Sequence, residues 1–255
     1  LSSSSAASDV YKRQNGGLWL PTQQAERMQE VLVAVTRSQL TDNPAAPTSM
    51  QPFEGLHYSL QQELHVQVAR SHAGSVGRMG LVEVPTGELA RIGYISADFG
   101  DHPTTDLALA TILRQHERMQ VFCYVLNESD GSELWTRLRT ALGDRFRTMS
   151  SHATDGEWAD QIREDGIQTL IHLNGHTAGA RLGICARRPA PLQIMALGYP
   201  GTSGADYFDY NVVPKPYSRL ITSVPFSLSV LGSGVRQWFV RTSMPRAREG
   251  GGLCC

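Results

Sequence analysis

Residues Arg91–Leu107 read R-I-G-Y-I-S-A-D-F-G-D-H-P-T-T-D-L. A short apolar run, Arg91–Ser96, ends in a polar stretch, and apolar residues return at helical spacing over Leu107–His116. This is a strand, a loop and a helix. The alternation continues. Val121–Leu126, Arg145–Met149, Ile167–Leu173 and Leu192–Leu197 read as strands, and Leu134–Leu142, Trp158–Glu164 and Arg181–Arg187 as helices between them. Gly166 is placed to end the helix before the Ile167 strand. Strands and helices alternating at these lengths predict an α/β domain, Rossmann-like, with a parallel sheet covered on both faces. Ligands on such sheets bind beyond the carboxyl ends of the strands. That rule selects the loops beginning near Ala97, Asn174 and Gly198.

The amino-terminal side is organised differently. Met28, Val31, Leu32 and Val35 recur at helical spacing within Thr22–Leu40, with Pro21 suited to a helix start. Three prolines in Asp42–Pro52 break that helix. Leu56, Leu60, Leu64 and Val68 predict a second helix over Phe53–Ala73, and Ser71–Glu88 reads as a linker. Leu1–Gln14, rich in Ser and Ala and without an apolar signal-peptide core, is expected to be a non-native leader. At the other end, Ser223–Cys255 lacks a clear amphipathic period and is expected to be a disordered tail. The expected divisions are therefore 1–14, a helical segment and linker over 15–88, the Rossmann-like lobe over 89–222, and 223–255.

Composition narrows the function classes. Of 255 residues 41% are hydrophobic and 18% charged, which is too apolar and too weakly charged for a disordered chain. The longest apolar runs are about six residues, against the ~20 that a membrane helix needs. A net charge of −1 gives no electrostatic case for nucleic acid. Cys123 and Cys185 sit alone in apolar stretches and two more cysteines end the chain, so a disulfide framework and a zinc ribbon are disfavoured. A reducing compartment, cytoplasmic or nuclear, is expected.

The three selected loops hold most of the unusual residues. In the first, Asp98-Phe99-Gly100 matches a protein-kinase tripeptide, but the chain lacks the H-R-D loop, the V-A-I-K lysine and a Gly-rich loop. Asp98, His102 and Thr104 remain as polar groups at a strand-to-helix junction, where Asp98 or Thr104 can alternatively satisfy backbone donors. In the second loop, H-L-N-G-H-T-A-G-A-R, His172 and His176 lack a Cys or carboxylate partner at ligand spacing, so no metal is expected. Its glycines suit close approach of backbone to a ligand, or simply a tight turn. The third, L-G-Y-P-G-T-S-G from Leu197, is a rigid Gly/Pro loop. With no G-x-G-x-x-G after the first strand and no Walker lysine, dinucleotide and P-loop readings fail.

Taken together, R-I-G-Y-I-S-A-D-F-G-D-H-P-T-T-D-L, D-G-I-Q-T-L-I-H-L-N-G-H-T-A-G-A-R and R-P-A-P-L-Q-I-M-A-L-G-Y-P-G-T-S-G resemble the catalytic region of the protein O-GlcNAc transferases, glycosyltransferase family 41. Pro47–Phe53 resembles the segment before it, so the resemblance runs from about Thr22 to Leu220. It implies a GT-B enzyme of two Rossmann-like lobes, with tetratricopeptide repeats upstream, of which this chain carries the amino-terminal lobe. The implied reaction moves N-acetylglucosamine from UDP-GlcNAc to Ser or Thr hydroxyls of acceptor proteins. Neither a metal nor another cofactor is implied.

The same resemblance implies roles for single residues. His102 and Asp98 would face the sugar and the acceptor hydroxyl, as the catalytic pair. Thr104 would contact the donor, Thr177 and Arg181 would border the same cleft, and Leu197, Gly198, Tyr199 and Pro200 would flank the N-acetyl group and the acceptor peptide. The chain departs from the animal enzymes at Asp106 and Gln51, where histidines would stand, and at Ala178, where a basic residue would. A hydroxyl is a poor nucleophile, so its proton must leave as the sugar bond breaks. An imidazole, a carboxylate or the donor phosphate can each take it. Two other readings remain: a protein O-fucosyltransferase of the same family, and a non-catalytic single-lobe module.

Overall fold

The computed structural model describes residues 22–58, 60–74, 90–214, 227–229 and 237–241. Its centre is β1 (Arg91–Ser96), flanked by β2 (Gln120–Val125) on one side and β4 (Thr169–His172) on the other, both parallel to it. With β3 (Phe146–Thr148), β5 (Leu192–Ala196) and β6 (Tyr210–Pro214), six parallel strands run in the order β3-β2-β1-β4-β5-β6. The direction of winding reverses between β1 and β4. In such a sheet that reversal opens a crevice at the carboxyl edge, where ligands bind.

The helices α4 (Pro103–His116) and α5 (Glu133–Leu142) cover one face, and α6 (Asp155–Glu164) and α7 (Leu182–Ala186) the other. Strand β2 shows why. Val121, Cys123 and Val125 point into a core with Ile112, Leu138 and Phe146, while Phe122 and Tyr124 point into one with Trp158, Ile162 and Leu170. Burial on both faces is what a near-continuous apolar strand requires. Outside the sheet lie α1 (Thr22–Asp42), the short α2 (Pro52–Gly55) and α3 (Gln62–Gly74).

Several expectations differ from the structure. The helix expected over Phe53–Ala73 is broken into α2 and α3. Glu54 accepts the Gln51 N–H at 3.1 Å to start α2, and the His65 imidazole reaches the Pro52 carbonyl at 3.0 Å, folding the chain back on itself. Leu64 and Val68 are buried but Leu56 is 38% exposed, so the four-residue period belongs to α3 alone. Ser71–Gly74 belongs to α3 rather than to a linker, the rest of which lies outside the described residues. Next, α4 begins at Pro103, four residues before the expected start at Leu107, because Pro suits the first helical position.

Strand β6 was not anticipated. Its run Y-N-V-V-P interrupts the apolar pattern with Asn211, whose buried amide donates to the Gly201 carbonyl at 3.1 Å. Within the stretch expected to be a disordered tail, 223–255, the described residues form β7 (Ser227–Ser229) and β8 (Gln237–Arg241), and the rest of it lies outside the described residues. β8 pairs antiparallel with β6 and β7 with β8, extending the sheet by two strands. The short run Q-W-F-V-R is long enough to add to an open sheet edge but too short to show a period. The leader, 1–14, lies outside the described residues.

Candidate active site

The loops after β1, β4 and β5 meet at the carboxyl edge, as the strand pattern required. Asn174 is their joint. Wholly buried, it accepts the Ala97 N–H at 2.8 Å through Oδ1, and through Nδ2 donates to Asp98 Oδ2 at 2.7 Å and to Thr177 Oγ1 at 3.2 Å. The Gly198 N–H donates to the Leu173 carbonyl at 2.8 Å, joining the third loop to the second. A Cβ on Gly198 would press into that same carbonyl, so the approach needs glycine. Beside it Leu197 holds φ +68°, a strained conformation for a branched side chain and one that clusters at functional sites.

Asp98 is fixed from its own loop as well. Its N–H donates to Ser96 Oγ at 3.0 Å, and its carbonyl accepts from Thr105 Oγ1 at 2.6 Å. Its side chain is 20% exposed. Partial burial raises its pKa above the ordinary carboxylate range, opposed by the His102 ring and by the Asn174 hydrogen bond.

His102 is 48% exposed and its Nδ1 lies 3.8 Å from Asp98 Oδ2, too far for a hydrogen bond. Nδ1 instead accepts the Thr104 N–H at 3.2 Å, making His102 the N-cap of α4. Pro103 explains the geometry: the residue before proline is held extended, and His102 has φ −143°, ψ 142°. An accepting Nδ1 places the proton of the neutral ring on Nε2.

A second loop, between β2 and α5, clamps this one. Asp130 accepts the Asp101 N–H at 2.7 Å and the Ser132 N–H at 3.0 Å, and Asn127 Nδ2 donates to the Phe99 carbonyl at 2.6 Å. Gly100, at φ +144°, lies so close that a Cβ would collide with the Asp130 carboxylate. The sequence pointed to none of Asn127, Asp130 and Thr105, and to Asn174 only as the start of a loop. The D-G pair at Asp130-Gly131 was the available signal for a loop-ordering Asx residue.

Other expected residues take different places. Thr104 is buried at 5% exposure and contributes its N–H to the cap. The Arg181 guanidinium is held by the Asp155 carboxylate and by the Ala153 carbonyl at 2.7 Å, so it anchors the loop to the start of α6. Tyr199 is 2% exposed. Its hydroxyl meets His65 Nε2 at 3.1 Å and its ring stands edge-on to His176 at 5.3 Å, tying α3 to the lobe. Asp98, His102, Thr177, Leu197, Gly198 and the exposed Pro200 therefore gather at one edge, while the side chains of Thr104, Arg181 and Tyr199 turn into the fold. Among the described residues, no three His, Cys, Asp or Glu side chains converge as a metal site.

Comparison with known proteins gives this geometry a context. The sequence model of glycosyl transferase family 41 matches residues 21–231. A UDP-N-acetylglucosamine–peptide N-acetylglucosaminyltransferase of Caenorhabditis elegans is 38% identical over 188 residues, 68% of this chain and 16% of that protein. The probable UDP-N-acetylglucosamine–peptide N-acetylglucosaminyltransferase SEC of Arabidopsis thaliana is 36% identical over 195 residues, 70% of this chain. The chain thus spans 16% and 20% of the length of these two relatives. Among solved structures, an O-GlcNAc transferase mutant of Thermobaculum terrenum superposes with a TM-score of 0.57 at 29% identity, over 72% of this chain and 36% of that one.

Proposed function

The chain belongs to glycosyl transferase family 41, and from that premise we propose that it forms the acceptor-side lobe of an enzyme moving N-acetylglucosamine from UDP-GlcNAc to Ser or Thr hydroxyls of proteins. The observation that carries the reading is the Asp98–His102 pair, half-open at the reversal point of the sheet and braced from three loops. The names of the relatives supply the donor and acceptor classes.

As capped, His102 presents Nε2–H, which can donate to the acceptor oxygen or to the sugar and so orient the two. To act as base, Nε2 must lose that proton and Nδ1 must carry one. Turning Nδ1–H from the helix cap toward Asp98 Oδ2, 3.8 Å away, provides the carboxylate partner that this tautomer needs. The hydroxyl oxygen then bonds to the anomeric carbon as the bond from that carbon to the phosphate oxygen breaks. The diphosphate leaves with the electron pair, and the hydroxyl proton passes to Nε2. Positive charge or helix N–H groups for the leaving diphosphate would come mainly from a second lobe.

Donor selectivity tests the reading. A protein containing this lobe and a second family lobe is offered labelled UDP-GlcNAc or GDP-fucose with a Ser/Thr acceptor peptide. Label from UDP-GlcNAc is expected in the peptide. Label from GDP-fucose alone would replace this reading with the fucosyltransferase one.

A further inference from the structure

We propose that His172 is a positioning residue for the Asp98 carboxylate, acting through Asn174 by filling the place of the side-chain oxygen in an Asx turn. His172 is the last residue of β4 and is wholly buried. Its Nδ1 accepts two backbone N–H groups, from Asn174 at 3.3 Å and Gly175 at 3.1 Å. Counted in bonds from Cα, Nδ1 stands where the Oδ1 of Asn or Asp stands, and an acceptor there captures the N–H two residues on.

The rest of the ring gains little from being imidazole. Nε2 is buried without a hydrogen-bond partner, and the ring meets Phe208 edge-on at 5.8 Å. An orphaned buried donor is costly, so an apolar side chain would suit this core better but for the turn. Burial, with a smaller push from His176, lowers the ring's pKa to about 3, so Nδ1 stays an acceptor at neutral pH. The turn it closes fixes the backbone of Asn174, whose amide then spans from the Ala97 N–H to the Asp98 carboxylate. The ionisable group facing that carboxylate is His102, at 3.8 Å. The inference rests on the proposed function only in counting Asp98 as a site residue.

The test is magnetic resonance on the 255-residue chain, which reads position without activity. Imidazole nitrogen shifts at pH 6 should show neutral His172 with its proton on Nε2. A proton on Nδ1 overturns the proposal, whatever the variants do. Carboxyl-carbon titration of Asp98 should move up by about one pH unit in His172→Leu, the size expected on losing one hydrogen bond to a charged group. In His172→Asn, which restores the acceptor, it should return to within a few tenths of wild type. An unmoved midpoint in folded His172→Leu overturns the proposal. If the leucine variant does not fold, a shift of about one unit in His172→Asn overturns it instead. Loss of transfer enters none of these outcomes, so failure here leaves the donor and acceptor assignment standing.

Discussion

His102 does two things that substitution can separate. Its Nδ1 caps α4, and its half-exposed ring lies at the carboxyl edge of the sheet beside Asp98. Removing an N-cap acceptor costs ~1 kcal/mol, whereas Asn is among the best caps. Thermal scans should therefore show His102→Ala melting a few degrees below wild type and His102→Asn close to it. Equal losses in both variants would contradict the capping geometry. Asp98 predicts the reverse sign. A carboxyl group whose folded pKa is raised contributes stability that is full at low pH and lost as pH rises through the folded value. Asp98→Asn keeps an oxygen for the Asn174 amide and removes that loss. It should melt at or above wild type at pH 7, with the difference disappearing as pH falls below 3.8. A clearly lower melting temperature at pH 7 would show that the charge is stabilising.

Among the elements, the loop after β1 depends most on its neighbour. Asp130 holds the Asp101 N–H from outside, fully exposed to solvent, and backbone hydrogen bonds lower its pKa. Asp130→Ala should speed amide exchange at Asp101 and its loop neighbours while the core strands keep their protection. Unchanged exchange at Asp101 would remove the clamp from the description. The strand Arg91–Ser96 was legible because an uninterrupted apolar run between turn residues has few other uses. The start of α4 was not, because H-P-T-T carries no apolar signal and the cap is an imidazole rather than Ser or Asp. The joining role of Asn174 was passed over for a related reason. A buried amide joining two loops has no spacing signature, since Asn174 and Asp98 meet only through the pairing of β1 with β4. Arg181 and Tyr199 stood in motifs that implied ligand contact, yet their side chains found partners inside the fold that no motif displays.

Across the whole molecule, the buried His172 and the half-buried His176 set the response to acid. His172 and His176 have pKa values lowered to about 3 and about 4, in both cases mainly by burial. A histidine with a depressed folded pKa contributes stability present above its unfolded value of 6.5 and lost as pH falls toward the folded one. Between those limits each histidine removes about 1.4 kcal/mol per pH unit, and Asp98 acts in the opposite direction. Melting temperature should therefore fall steadily from pH 6.5 to pH 4, and His176→Phe should flatten that slope. An unchanged slope would place the proton uptake elsewhere.

On the proposed reading, catalysis needs a second lobe beside this one. Family membership implies a site closed between two lobes, and orientation across such a site is worth ~7–11 kcal/mol of barrier. The 255-residue chain alone is expected to transfer no sugar. The most direct test is turnover and melting temperature, followed together, for His102→Asn in a two-lobed enzyme containing this lobe. Transfer from UDP-GlcNAc should fall by ~10²–10⁴-fold with an unchanged melt. Near-normal turnover in the folded variant would contradict the assignment of this crevice as the site of transfer.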